Sequence, residues 1–287
     1  MELITILLSG LLGFLSPVGL VVDRVAQNAI RSRFTKVEQL QVRVDNAPSH
    51  QLIQGKVQRV RIAGRGLWVT PNLRIAALEL ETDRLDVNLQ DLRQPRPSSP
   101  PQGAQRLPTG ALRQPVQAGL RLVLTEQDIN KLLQSPAVTA RLRTLGNRFL
   151  GNMGGQQAQA YELTDPRVEF LADNRLRLQV ALQEKGETVT EQNSSKQLTL
   201  TVESGLGIVS GHQVQFVSPK ASLNDNPVPA FLLNPIVQSL TQQLDLHKLE
   251  EAGITARLLQ LNVNPKQMEI AAFVRVQPQP APEKGKN

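Results

Sequence analysis

Arg59, Arg61 and Arg65 occupy alternating positions in the segment GKVQRVRIAGRGLWV (Gly55 to Val69). Side chains two apart on a strand share a face, so this spacing predicts a row of guanidinium groups. Guanidinium groups neutralise phosphates, whether of nucleic acid or of lipid headgroups. Nucleic-acid modules usually add aromatic stacking or a recognition helix. Here the whole chain has nine aromatic residues: one Trp, one Tyr and seven Phe. Attraction to anionic lipid is the simpler chemistry, with a solvated basic face as the alternative without a ligand.

Other chemistry is largely excluded. With no cysteine, thiolate metal sites, iron–sulfur clusters, disulfides and cysteine nucleophiles drop out. Three scattered histidines (His50, His212, His247) do not suggest a metal centre. Gly64-Arg65-Gly66 and Gly205-Leu206-Gly207 lack the third glycine of a dinucleotide fingerprint, and no Walker loop or Gly-x-Ser-x-Gly elbow occurs. Both glycine pairs read as turns or bulges at strand ends. His212 falls on a predicted strand with no acid nearby in sequence. His247 falls late in a helix, where the C-terminal dipole accounts for it. Neither a cofactor nor an enzymatic activity is indicated. Trp68 reads either as an interfacial anchor or as a partly buried strand-end residue.

The net charge of +7 is unevenly placed. Between Arg24 and Arg74 ten basic residues face two acidic ones, while the remainder carries 22 basic and 23 acidic residues. This basic stretch follows Leu3 to Val22, twenty residues without a charge, a length able to span a bilayer. Ser16-Pro17 divides that run into an apolar piece and the start of a helix predicted to reach about Phe34. Three readings stay open: an uncleaved anchor, a signal peptide, and an apolar helix docked in the fold. The start Met1-Glu2 and the lack of a small-x-small site weigh against a signal peptide. The basic flank would favour the cytoplasmic side.

The elements that must position these residues follow from periodicity. Strand alternation appears at Leu40–Val44, Val60–Ile62, Leu78–Leu80, Leu120–Leu124, Val168–Phe170, Leu176–Leu182, Leu198–Val202, Val214–Phe216, Leu259–Val263 and Ile270–Val276. Thr125 and Asp128 form a capping box before a helix that carries Ile129, Leu132 and Leu133. Ser135-Pro136 restarts that helix, and Val138, Leu142, Leu145 and Phe149 extend its stripe. A second helix, from about Val228 to Leu249, presents Leu233, Val237, Leu240 and Leu244 at i, i+4, i+7, i+11. The fold class is α+β with mainly antiparallel sheet. The expected organisation is a hydrophobic N-terminal segment (1–16), a first helix with strands and the basic region (17–92), and a Pro-rich linker or loop (93–115). A helix-and-sheet region (116–276) then continues the same elongated domain into a disordered tail (277–287).

Three segments together resemble one family: VVDRVAQNAIRSRF (Val21 to Phe34), GKVQRVRIAGRGLWV, and LRLVLTEQDINKLLQSPAV (Leu120 to Val138). The combination is similar to the LmeA-like phospholipid-binding proteins, especially their cyanobacterial branch. The resemblance implies a fold similar to tubular lipid-binding proteins, in which a long curved antiparallel sheet wraps around long amphipathic helices. It also implies phospholipid acyl chains held between helix and sheet, and no catalytic residues. Actinobacterial members are exported to the cell envelope; the weak signal features and the Pro-rich insertion depart from that pattern. On this resemblance, Ile129, Leu132, Leu133, Val237, Leu240 and Leu244 line the acyl chains, with ordinary core as their alternative role. Arg59, Arg61 and Arg65 contact the headgroup phosphate. The expected partners are anionic phospholipids and a membrane surface, without nucleic acid, in a role of membrane or envelope maintenance. A membrane-tethered protein-interaction scaffold is the alternative.

Overall fold

The computed structural model describes residues 22–45, 49–88, 111–140, 142, 144, 161–184 and 198–278. The N-terminal apolar run up to residue 21, the Pro-rich residues 89–110 and the tail from 279 lie outside the described residues. So do Leu145, Phe149 and the other residues of 145–160. The described chain is an α+β protein dominated by antiparallel sheet. It divides into two compact units: residues 1–123 with 246–259 and 270–287, and residues 124–245 with 260–269.

The first unit is built on a six-stranded sheet of order β1-β3-β4-β6-β13-β12. Its strands are β1 (Lys36–Asp45), β3 (Arg59–Thr70), β4 (Leu73–Thr82), β6 (Val116–Thr125), β12 (Ile254–Asn264) and β13 (Gln267–Val276), and a short pair joins β2 (Lys56–Val57) to β5 (Leu85–Asp86). Antiparallel register places Val42, Ile62, Leu80 and Leu120 opposite one another in one row. Leu40, Gly64, Leu78 and Leu122 form the next. Alternation therefore gives this sheet one apolar face, on which Leu40, Val42, Val60, Ile62 and Leu78 are buried. Helix α1 (Val22–Arg31) packs along β1, burying Ala26 and Ile30, and Asp23 accepts a hydrogen bond from the Val44 amide at 2.9 Å. That carboxylate satisfies a backbone donor of the edge strand, which would otherwise stay open to another chain.

Gly66 shows why two glycines interrupt this basic segment. It holds φ +55° inside β3, and a Cβ there would lie 2.1 Å from a Glu38 carboxylate oxygen. Gly64 leaves the space that the Leu67 side chain fills. The glycines expected at strand ends therefore sit within the strand, where close approach and backbone conformation require them.

The second unit contains a five-stranded sheet of order β11-β10-β9-β8-β7. Its strands are β7 (Tyr161–Phe170), β8 (Arg175–Glu184), β9 (Leu198–Val209), β10 (Gln213–Leu223) and β11 (Asn226–Pro227). Tight turns join β7 to β8, β9 to β10 and β10 to β11: Asp173-Asn174, Ser210-Gly211 and Asn224-Asp225 all have positive φ, the conformation that tight hairpin turns of matching twist use. Helix α2 (Glu126–Leu133) begins with the Thr125–Asp128 capping box as expected from the sequence. It covers the β7 edge. The Asn130 side-chain amide donates to the Val168 carbonyl at 2.8 Å and accepts from the Val168 amide at 2.7 Å. The Phe170 amide donates to a Glu126 carboxylate oxygen. After α2 the chain turns helical again at 136–140. Helix α3 (Ala230–Gln243) is shorter than the sequence expectation, and a 3-10 segment, Leu246–Ala252, takes over the remainder. Helices α1, α2 and α3 have 10, 8 and 14 residues. Among the described residues no helix is long and apolar enough to cross a membrane.

Candidate functional site

In the second unit, pairing aligns one apolar sheet face. Leu178, Val202 and Ala221 form one row, and Val180, Leu200 and Leu223 another. Leu206 pairs with Phe216, and Ile208 with Val214. Helix α3 runs along β10 with its start near Ala221, where Leu233 joins a buried cluster with Val180, Leu182, Leu200 and Ala221. Its far end reaches the β9–β10 turn. There Asp245 bridges to Gln213, and its carboxylate lies 3.1 Å from His212 Nδ1. His212 thus sits on a turn, not on a strand, and meets an acid 33 residues away. Local sequence carried no sign of that pairing.

Burial fades along this helix and along the sheet beneath it. In the α3 stripe Leu233 is 5% exposed, Val237 and Leu240 are half-buried, and Leu244 is 44% exposed. On the sheet, the buried Val180, Leu182 and Leu200 give way to the half-buried Leu206, Ile208, Val214 and Phe216. One end of the layer is close-packed core, whereas the other leaves aliphatic surface incompletely covered. Within this face Ser204 is buried, its hydroxyl donating to carbonyl oxygens of Gly205 and Val217, so it places no unsatisfied donor there. The opposite face is polar: Arg177 bridges Glu169 and Glu203, and both carboxylates hold the guanidinium proton more firmly than usual.

Of the six residues read as acyl-chain lining, Val237 and Leu240 lie on α3 and Leu244 caps its C-terminal end. Ile129, Leu132 and Leu133 are half-buried on α2. The two helices attend different strands, α2 beside β7 and α3 beside β10, with β8 and β9 between. The structure therefore groups these residues as two sets of three. Leu206 and Ile208 were missed because the glycines around Leu206 read as a turn. Apolar alternation from Leu198 to Ile208, broken only at Ser204, was the signal that could have found them.

The three arginines lie on the charged face of the first unit. Register sets Gln39, Gln41, Arg43 and Asp45 of β1 beside Arg65, Ala63, Arg61 and Arg59 of β3. These adjoin Ala77, Glu79 and Glu81 of β4, which in turn adjoin Val123, Arg121 and Gly119 of β6. Arg59 pairs with Glu81 at 3.1 Å, and Arg121 with Glu79 at 3.1 Å. Asp45 bridges Arg61 and Arg43. The Arg61 guanidinium, with a smaller contribution from Arg43, holds the Asp45 carboxyl below its ordinary pKa, against a partial opposing effect of desolvation. Arg61 Nε is buried without a hydrogen-bond partner.

Two adjoining concavities lie over this sheet. One, of about 780 Å³, is lined by Arg43, Arg61, Arg121, Glu79, Glu81 and the 67%-exposed Leu259, among others. The other, of about 590 Å³, includes Arg65. They share Gln41, Ala63 and Glu79. The structure thus places Arg61 and Arg65 in separate hollows, and Arg59 in neither set of lining residues. Lys36 and Arg74 each lie over the Trp68 ring, at 4.7 and 5.1 Å from its centroid. Cation–π attraction to the ring gives this half-buried residue a structural role.

An incompletely covered aliphatic layer thus lies in one unit, and an arginine-lined sheet face in the other. Comparison gives the chain its family. The family model of LmeA-like phospholipid-binding proteins matches residues 14–273, and the chain belongs to this family. No curated protein and no solved structure matches it.

Proposed function

We propose that this protein binds phospholipid without catalysis, holding acyl chains against the α3 side of the five-stranded sheet and favouring anionic headgroups. The observation that carries this reading is the graded burial of Leu233, Val237, Leu240 and Leu244 above a sheet face whose burial fades in the same direction. Each CH₂ that enters such a layer contributes about 0.8 kcal/mol. A chain of many methylenes needs no polar anchor to stay, so the site requires no catalytic constellation. Ile129, Leu132 and Leu133 extend the apolar lining on α2. Arg59, Arg61 and Arg65 supply headgroup contacts, and the incompletely satisfied Arg61 has the most to gain from a further acceptor.

The finer architecture belongs to the same proposal: a long curved sheet around long amphipathic helices, as in tubular lipid-binding proteins. It is supported by two antiparallel sheets that each carry an apolar face. So does the biological role, membrane association with holding or transfer of lipid in membrane or envelope maintenance. The charge bias of the N-terminal flank favours the cytoplasmic face, and the family favours the envelope.

Native mass spectrometry of protein purified without detergent exchange tests the reading. The expected result is protein carrying phospholipid-sized adducts. Lipid-free protein that also ignores anionic liposomes would sink it.

A further inference from the structure

Two basic side chains that line one cleft of the first unit stand outside its ion pairs. The 590 Å³ cleft is lined by Arg31, Arg65, Glu38, Gln39, Gln41 and Glu79, with Ala63 and Ala77 as its small residues. Both carboxylates already face cations: Glu38 lies 3.5 Å from Arg74, and Glu79 lies 3.1 Å from Arg121. Arg31 and Arg65 are exposed and have no ion-pair partner among the described residues. Arg65 sits between Gln39 and Ala77 in the register, and an alanine neighbour cannot screen its guanidinium. The cleft is therefore left with two uncompensated guanidinium groups flanked by amides. Guanidinium forks suit phosphate oxygens, and glutamine amides can donate to the remaining ones.

We propose that this cleft is a membrane-docking site that receives the phosphate of a phospholipid headgroup while the lipid's chains stay in the bilayer. Chain geometry selects a bilayer lipid. Arg31 closes α1 nine residues after Val22, where the uncharged run ends. At about 1.5 Å per helical residue that is roughly 14 Å. Were that run to enter a bilayer, an α1 inclined to the surface would hold Arg31 beside the headgroup layer, which is about 5–7 Å deep per leaflet. Arg31 was not among the residues expected from sequence, since it lies on a helix and Arg65 on a strand. The inference rests on the lipid-binding reading for the identity of the molecule that owns the phosphate.

The full chain is sedimented with vesicles of phosphatidylcholine alone or mixed with phosphatidylglycerol. Wild-type protein should prefer the mixed vesicles. The Arg31→Gln/Arg65→Gln variant should lose about tenfold or more in affinity for them, the scale of one or two charge-assisted hydrogen bonds, with each single variant intermediate. Arg167→Gln/Arg257→Gln removes the same net charge outside the cleft and should bind as wild type does. All four positions are exposed or half-buried, and matching melting curves confirm folding. Equal loss in both double variants, no loss in the cleft variant, or equal wild-type binding to both vesicles overturns the proposal. Inorganic phosphate alone, titrated calorimetrically, should bind only weakly. Sub-millimolar binding would assign the cleft to soluble phosphate and overturn the docking role. Co-purified lipid is read separately by native mass spectrometry. Its absence from wild-type protein counts against the acyl-chain reading, whereas the vesicle comparison judges the cleft.

Discussion

At Asp45 one carboxylate organises two arginines of the charged sheet face. Its pKa is lowered chiefly by the Arg61 hydrogen bond and then by Arg43. A carboxyl with a depressed folded-state pKa stabilises the fold above its unfolded value and loses that contribution as pH falls through the folded value. Asp45→Asn should therefore melt below wild type at neutral pH. The gap should close as pH drops below about 4, the ordinary carboxylate range. Melting curves of the two proteins from neutral pH to pH 3 provide the check. A gap that persists unchanged at pH 3 contradicts the assignment. The other residues on this face show how pairing changes a sequence-level reading. Arg59 and Arg61 looked equivalent to Arg65 in the sequence, yet carboxylates from other strands occupy the first two and not the third.

Helix α3 divides its work between stability and binding. It carries no charged residue, so its position comes from packing. Leu233 is set in the buried cluster, and Leu233→Ala should cost about 2–5 kcal/mol as a cavity-forming core truncation. Leu240, seven residues on and half-buried, has less packing to lose. Leu240→Asp should lower stability by much less than Leu233→Ala, yet strip the bound lipid, because a carboxylate in an aliphatic layer opposes any chain entering it. Denaturant unfolding together with quantification of co-purified lipid separates the two effects. If Leu240→Asp keeps its lipid, α3 does not form the acyl site. Helix α2 has a different task, since Asn130 and Glu126 complete the hydrogen bonding of the β7 edge.

Over the whole molecule, charge and apolar surface are separately encoded, and they should respond differently to salt. The positive charge is concentrated between Arg24 and Arg74, and its attraction to an anionic surface is screened over about 10 Å at 0.1 M salt and about 3 Å at 1 M. Acyl-chain contacts are not weakened by that screening. Raising salt to about 1 M should abolish the preference for phosphatidylglycerol-containing vesicles while leaving co-purified lipid in place. Lipid lost in step with that preference would mean that headgroup charge, not chain burial, retains it.

Much of this was readable from the chain alone. Apolar alternation and stripe spacing gave the strands, the α+β class and the α3 stripe. The Thr125–Asp128 box marked the start of α2. These features depend on neighbours within a few residues, where side-chain direction follows directly from backbone period. The extent of β9 was misjudged because Gly205 and Gly207 resemble turn residues until Val217 is seen facing Gly205. Tertiary structure alone decided which arginines are neutralised, that His212 meets Asp245, and that cover over the α3 stripe fades from Leu233 to Leu244. Each depends on partners tens of residues away, placed by sheet register, and no local pattern records how far a helix stays in contact with the sheet it covers.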